Sequence, residues 1–96
     1  MSKIYQVVIY TSILDEAKLA SYAALAGPAM QAAGAKFLAR GIPVAVKEKG
    51  QKTRTVVIEW ESMDAAEKGY ASEAYQNALA ALDNGAIREF RYVEAA

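Results

Sequence analysis

Ninety-six residues suffice for one domain and are too few for two, so residues 1–96 are read as a single domain with one modest core. Eleven basic residues balance eleven acidic ones, and no Lys/Arg run builds the positive field that nucleic acid or anionic lipid requires, so neither is expected as a partner. Cys and His are both absent, which excludes disulfides, thiolate nucleophiles, His-based triads and the usual ligands of zinc, copper and haem iron; no metal and no cofactor are expected.

Met1-Ser2-Lys3 leads straight into an alternating segment without the succession of an export signal, and no apolar stretch nears membrane-spanning length. The chain is therefore expected to be cytoplasmic. Ile4 to Tyr10 reads as the first strand, with Tyr5, Val7 and Ile9 on one side and Ile4, Val8 and Tyr10 with Gln6 on the other. Both sides are largely apolar, which predicts a strand covered on both faces.

Asp15 is read as an N-cap, and Leu19, Tyr22, Ala23, Ala26 and Met30 recur at helical spacing as far as about Ala33. Pro28 falls inside that helix and predicts a kink or restart there, and Gly34 supplies a left-handed close. Ala35 to Arg40 follows as the second strand, with Gly41 and Pro43 marking a bulge or bend before an extended Val44 to Lys47. A turn at Lys49-Gly50 leads to a third strand, Arg54 to Trp60, and Lys47, Lys49 and Lys52 decorate a solvated hairpin tip. Ser62 caps a second helix carrying Ala66 and Tyr70, and Ser72 caps a further helical piece with Tyr75, Leu79 and Leu82 on its apolar stripe. Asn84-Gly85 ends it, and Ile87 to Val93 is the last strand.

This order is the α+β, ferredoxin-like βαββαβ pattern: an antiparallel sheet with its helices on one face. The opposite face would be bare, yet the strands are apolar on both sides. A homodimer packed through its sheet faces is the simplest cover.

Phe37-Leu38-Ala39-Arg40-Gly41, Arg54 ahead of Val56-Val57-Ile58-Glu59-Trp60, and Ser72-Glu73-Ala74-Tyr75-Gln76 stand in an order that resembles a small bacterial family, domain of unknown function 1330. That resemblance implies a member of the dimeric α/β-barrel superfamily. It is similar in fold to cofactor-independent monooxygenases, haem-degrading enzymes, lactone isomerases and ligand-sensing domains, and fold does not choose among these.

Two sets of residues carry the candidate chemistry. Hairpin pairing around Lys49-Gly50 sets Arg40 opposite Glu59, unless a bulge near Pro43 shifts the register by one. The two are then either a structural ion pair or a catalytic pair, with Arg40 holding an anionic or enolate-like oxygen and Glu59 acting as base. Tyr22, Phe37, Trp60, Tyr70 and Tyr75 are either core or the lining of a pocket for a flat ligand. Ser62 and Ser72 have no visible base and read as caps. Two functions stay open. One is a cofactor-independent enzyme acting on a small aromatic or carboxylate substrate; the other is a non-catalytic, ligand-binding or stress-associated dimeric module.

Overall fold

Local chemistry sets where each helix begins in the computed structural model, which describes residues 2–96. Helix α1 (Glu16–Ala32) starts where the Asp15 carboxylate accepts from the Lys18 amide at 3.0 Å. Helix α2 (Met63–Ala71) begins at Ser62, whose hydroxyl accepts from the Ala65 amide, and α3 (Glu73–Leu82) at Ser72, whose hydroxyl accepts from the Tyr75 amide. Each cap satisfies an amide that the first helical turn leaves without a partner. Pro28 lies within a continuous α1, so the expected restart is absent.

The strands are β1 (Ile4–Ile13), β2 (Lys36–Gly41), β3 (Thr55–Trp60) and β4 (Ala86–Glu94), and the antiparallel sheet runs β2-β3-β1-β4. Element order and sheet together are the ferredoxin-like fold that the sequence implied. The Cα atoms span 34 × 33 × 16 Å, the thickness of one sheet and one helical layer.

Parity decides what each strand turns toward the helices. Ile4, Gln6, Val8 and Tyr10 of β1 and Val56, Ile58 and Trp60 of β3 are buried beneath Tyr22, Ala26, Met30, Tyr75, Ala78 and Leu82. Trp60, 1% exposed, is the largest side chain in this core, and its indole N–H donates to the Gln6 carbonyl oxygen at 2.9 Å. Gly69 of α2 makes room for it: a Cβ there would stand 2.6 Å from the edge of the indole ring. The opposite face carries Tyr5, Val7, Ile9 and Val57, half-buried, flanked by the exposed Ile87 and Val93.

Between β2 and β3 the chain departs from the expected hairpin. A backbone turn joins the Gly50 amide to the Lys47 carbonyl, with Glu48 at φ 53, and Val44 to Lys47 is not a strand. Freed from a two-residue turn, the β2–β3 register is set by the sheet itself. Phe37 faces Ile58 and Ala39 faces Val57, which leaves Leu38 as a bulge. One extra residue inverts the parity of everything beyond it. Arg40 therefore lies opposite Val56, not Glu59, and points to the helix side, while Glu59 lies opposite Lys36 on the other face. The expected Arg40–Glu59 pair does not form.

Candidate functional site

At one end of the helix-facing side, the sheet turns cationic. Tyr10 lies opposite Arg88 on one flank, and its amide donates to the Arg54 carbonyl on the other, so Arg54, immediately before β3, forms a row with Tyr10 of β1 and Arg88 of β4. Arg40 joins from the next row, opposite Val56. A narrow cavity of about 60 Å³ opens between this end of the sheet and α1, lined by these arginines and by Tyr22, Phe37, Tyr75, Phe90 and aliphatic groups. One water needs roughly 10–15 Å³ on this measure, so the space suits a single small ring or a short chain.

Its polar wall is a hydrogen-bonded set. Arg88 donates from Nη1 to the Tyr22 hydroxyl at 2.9 Å, and the Tyr22 and Tyr75 hydroxyls share a hydrogen bond of 2.8 Å. Arg88 is held over three rings, with its guanidinium carbon 4.7 Å from the centroids of Tyr22 and Phe90 and 5.6 Å from that of Tyr10. Burial first, and the neighbouring Tyr22 second, push the Tyr75 phenol above its ordinary range, so Tyr75 keeps its proton at neutral pH. Arg40 sits over Phe37 at 5.2 Å and Arg54 over Tyr10 at 5.7 Å.

Of the residues singled out from sequence, the fold gathers Tyr22, Phe37, Tyr75 and Arg40 at this cavity. Trp60 fills the core beneath α2 and is no part of the lining; its volume is used up in packing. Tyr70 is 43% exposed and lies between Tyr75 and Phe90, tilted against the first and edge-on to the second, at the edge of a wider groove that also takes in Glu67, Leu79 and Tyr92. Glu59 stands on the far face, where Lys3 donates to its carboxylate at 3.2 Å. Sequence reasoning did not single out Arg54, Arg88 or Gln6 as site residues. Parity could have placed both arginines on the helix-facing side but not beside one another, because Arg54, just ahead of β3, continues the alternation of Val56, Ile58 and Trp60, and Arg88 that of Phe90 and Tyr92.

The family profile described as "Domain of unknown function (DUF1330)" matches residues 3–96. The chain belongs to the DUF1330 family. No curated protein matches it significantly. Among solved structures, a protein of unknown function from Rhodopseudomonas palustris superposes with a TM-score of 0.78 at 12% identity, covering 99% of this chain and 83% of that one. SnoaB of Streptomyces nogalater, described as a cofactor-independent oxygenase, gives 0.72 at 15% identity over 100% and 95% of the two chains. A dimeric ferredoxin-like protein of unknown function from Jannaschia sp. CCS1 gives 0.71 at 14% identity over 97% and 99%. At such identities the likeness establishes the fold alone.

The described residues of this DUF1330 chain contain no cluster of acidic side chains suited to a metal ion and no helix long and apolar enough to cross a membrane. What the site offers is an apolar recess with hydroxyl and guanidinium donors on its wall. Such a recess can orient a small organic molecule, exchange a proton with it and hold an oxygen that becomes negative.

Proposed function

We propose that this chain is a cofactor-independent enzyme for a small organic substrate, working as a homodimer packed through the open sheet faces. The observation that carries this reading is the Arg88–Tyr22–Tyr75 hydrogen-bonded set on the wall of an otherwise apolar cavity. In this proposal Tyr22 is the proton-exchanging group. Arg88 and Tyr75 fix its oxygen, while the remaining N–H groups of Arg88 receive the oxygen on which charge develops. Tyr75, Phe37 and Arg40 make ligand contacts, and the substrate supplies the rest of the reactivity. Support comes from SnoaB, a neighbour in fold described as a cofactor-independent oxygenase, and from neighbours described as dimeric. Glu59 has no part in the chemistry, because it lies across the sheet from the cavity.

A second reading, a ligand-holding module without turnover, is favoured by a specific feature: the cavity lining contains no carboxylate to act as a base. One experiment separates the two. Small aromatic and carboxylate compounds are screened for a rise in melting temperature, since a ligand that binds only the folded state must raise it. Each hit is then incubated with the protein and followed by mass spectrometry. The enzyme reading expects conversion that falls by about a hundredfold or more in Tyr22→Phe with binding retained. A hit that binds and stays unchanged selects the module.

A further inference from the structure

We infer that the ligand of this cavity is a small carboxylate, an apolar body of about one ring carrying one planar anionic group, held by Arg54 together with Arg40 and Arg88. This deepens the reading above and rests on the cavity being a ligand site. Its starting point is a charge imbalance. Three guanidiniums line a space of about 60 Å³, and no Asp or Glu lines it with them. None of the three takes part in an ion pair among the described residues, although five such pairs form elsewhere on the molecule.

Like charges gathered around one recess repel, and partial burial makes the repulsion worse. Arg54 and Arg88 flank the same Tyr10 ring, at 5.7 and 5.6 Å, so the imbalance is concentrated in one row of the sheet. Aromatic faces attract a cation without neutralising it. Arg88 at least spends one N–H on the Tyr22 hydroxyl. Arg54 is partly buried, and its Nε is enclosed without a hydrogen-bond partner. Leaving a charged donor unsatisfied is costly, and the position persists because something else completes it.

The form of the missing group follows from the donors. A guanidinium presents parallel N–H bonds matched to the two oxygens of a carboxylate, a planar fork that a single-point donor lacks. Around it the walls are apolar, with Val8, Met30, Val56, Ile58 and Phe90, which suits a ligand with a hydrophobic body over a bare inorganic anion. Arg40 is exposed at the rim, beyond the row, where an incoming anion meets it first.

The test measures binding of sodium benzoate, benzamide and inorganic phosphate to the full chain by calorimetry and thermal shift, in wild type, Arg54→Gln and Arg40→Gln. Benzoate is expected to bind about tenfold or more tighter than benzamide, and to weaken by a similar factor in Arg54→Gln. Ligand-free Arg54→Gln is expected to melt at or above the wild-type temperature, because the substitution removes a partly buried, unpaired charge; a purely structural arginine would lower it. Arg40→Gln, at the exposed rim, gives the same comparison in a position remote from the core and is expected to weaken benzoate but not benzamide. Benzamide binding as tightly as benzoate would keep the ligand site and overturn the carboxylate. Phosphate matching benzoate would overturn it as well, since the apolar body would then contribute nothing. If neither ring compound binds, this inference falls together with the reading beneath it.

Discussion

Arg40 and Glu59 show how much a single side chain's meaning depends on one unit of register. Paired, they would have been strongly coupled, since stranding one partner of a buried pair costs more than removing both. The sheet instead puts them on opposite faces, Arg40 over the Phe37 ring and Glu59 beside Lys3. Their stability effects are therefore expected to add, within about 0.5 kcal/mol, in a double-mutant cycle of Arg40→Ala and Glu59→Ala read by urea denaturation. Tyr92 gives a second residue-scale prediction. Burial, with the Glu67 carboxylate nearby, pushes its phenol up to about 12, whereas in the unfolded chain it ionises near about 10. The folded state holds the proton more tightly, so this contribution is complete below about pH 10 and lost as pH rises through the folded value. Urea midpoints are expected to decline across that window, and Tyr92→Phe, which has no such proton to lose, to decline less.

At the scale of elements, α2 is placed by a contact that only glycine permits. Alanine at position 69 would gain about 1 kcal/mol of helix propensity, yet its methyl would meet the indole edge of Trp60, which is fixed by its bond to Gln6. Gly69→Ala is thus expected to destabilise by about 1–3 kcal/mol in chemical denaturation, and to shift the fluorescence of the single tryptophan. The helices were readable from sequence because their signals are local: Asp15, Ser62 and Ser72 bond to amides three residues ahead. Strand identity was readable from alternation. Strand register was not, since the Leu38 bulge is marked by neither Gly nor Pro and is fixed by pairing with a distant segment. The same limit applied to the site. Tyr22 and Tyr75 were found by helical spacing, but Arg54 and Arg88 acquire their meaning only when the sheet lays them on either side of Tyr10. Trp60 read as a pocket wall because an aromatic ring suits a wall as well as a core, and volume decided for the core.

Across the whole molecule, the open sheet face is the property that monomer packing leaves unresolved. Tyr5, Val7, Ile9 and Val57 form an apolar stripe along its centre, and the Lys3–Glu59 and Arg91–Glu89 pairs lie on the same face. An apolar centre with a charged surround is the pattern of a protein interface. The proposed dimer is expected to bury more than about 1,000 Å² there in total. Val57→Glu would set a charge in that centre and, by sedimentation velocity, is expected to yield a monomer with its far-ultraviolet circular dichroism intact. A monomeric wild type at micromolar concentration would rule the arrangement out.

The Leu38 bulge sits where cavity and outer face are exchanged. Before it, Lys36 faces outward and Phe37 inward; after it, Ala39 faces outward and Arg40 inward. A chain that kept residue 38 but paired it in plain alternation would turn Ala39 inward and carry Arg40 to the outer face. A chain lacking residue 38 would run Lys36 out, Phe37 in, Ala39 out and Arg40 in, the same facing without the bulge. The extra residue is therefore dispensable to the recess while its bulged geometry, where the residue is present, is not, so natural chains shorter by this one position are expected to keep the inward cation on an unbroken ladder.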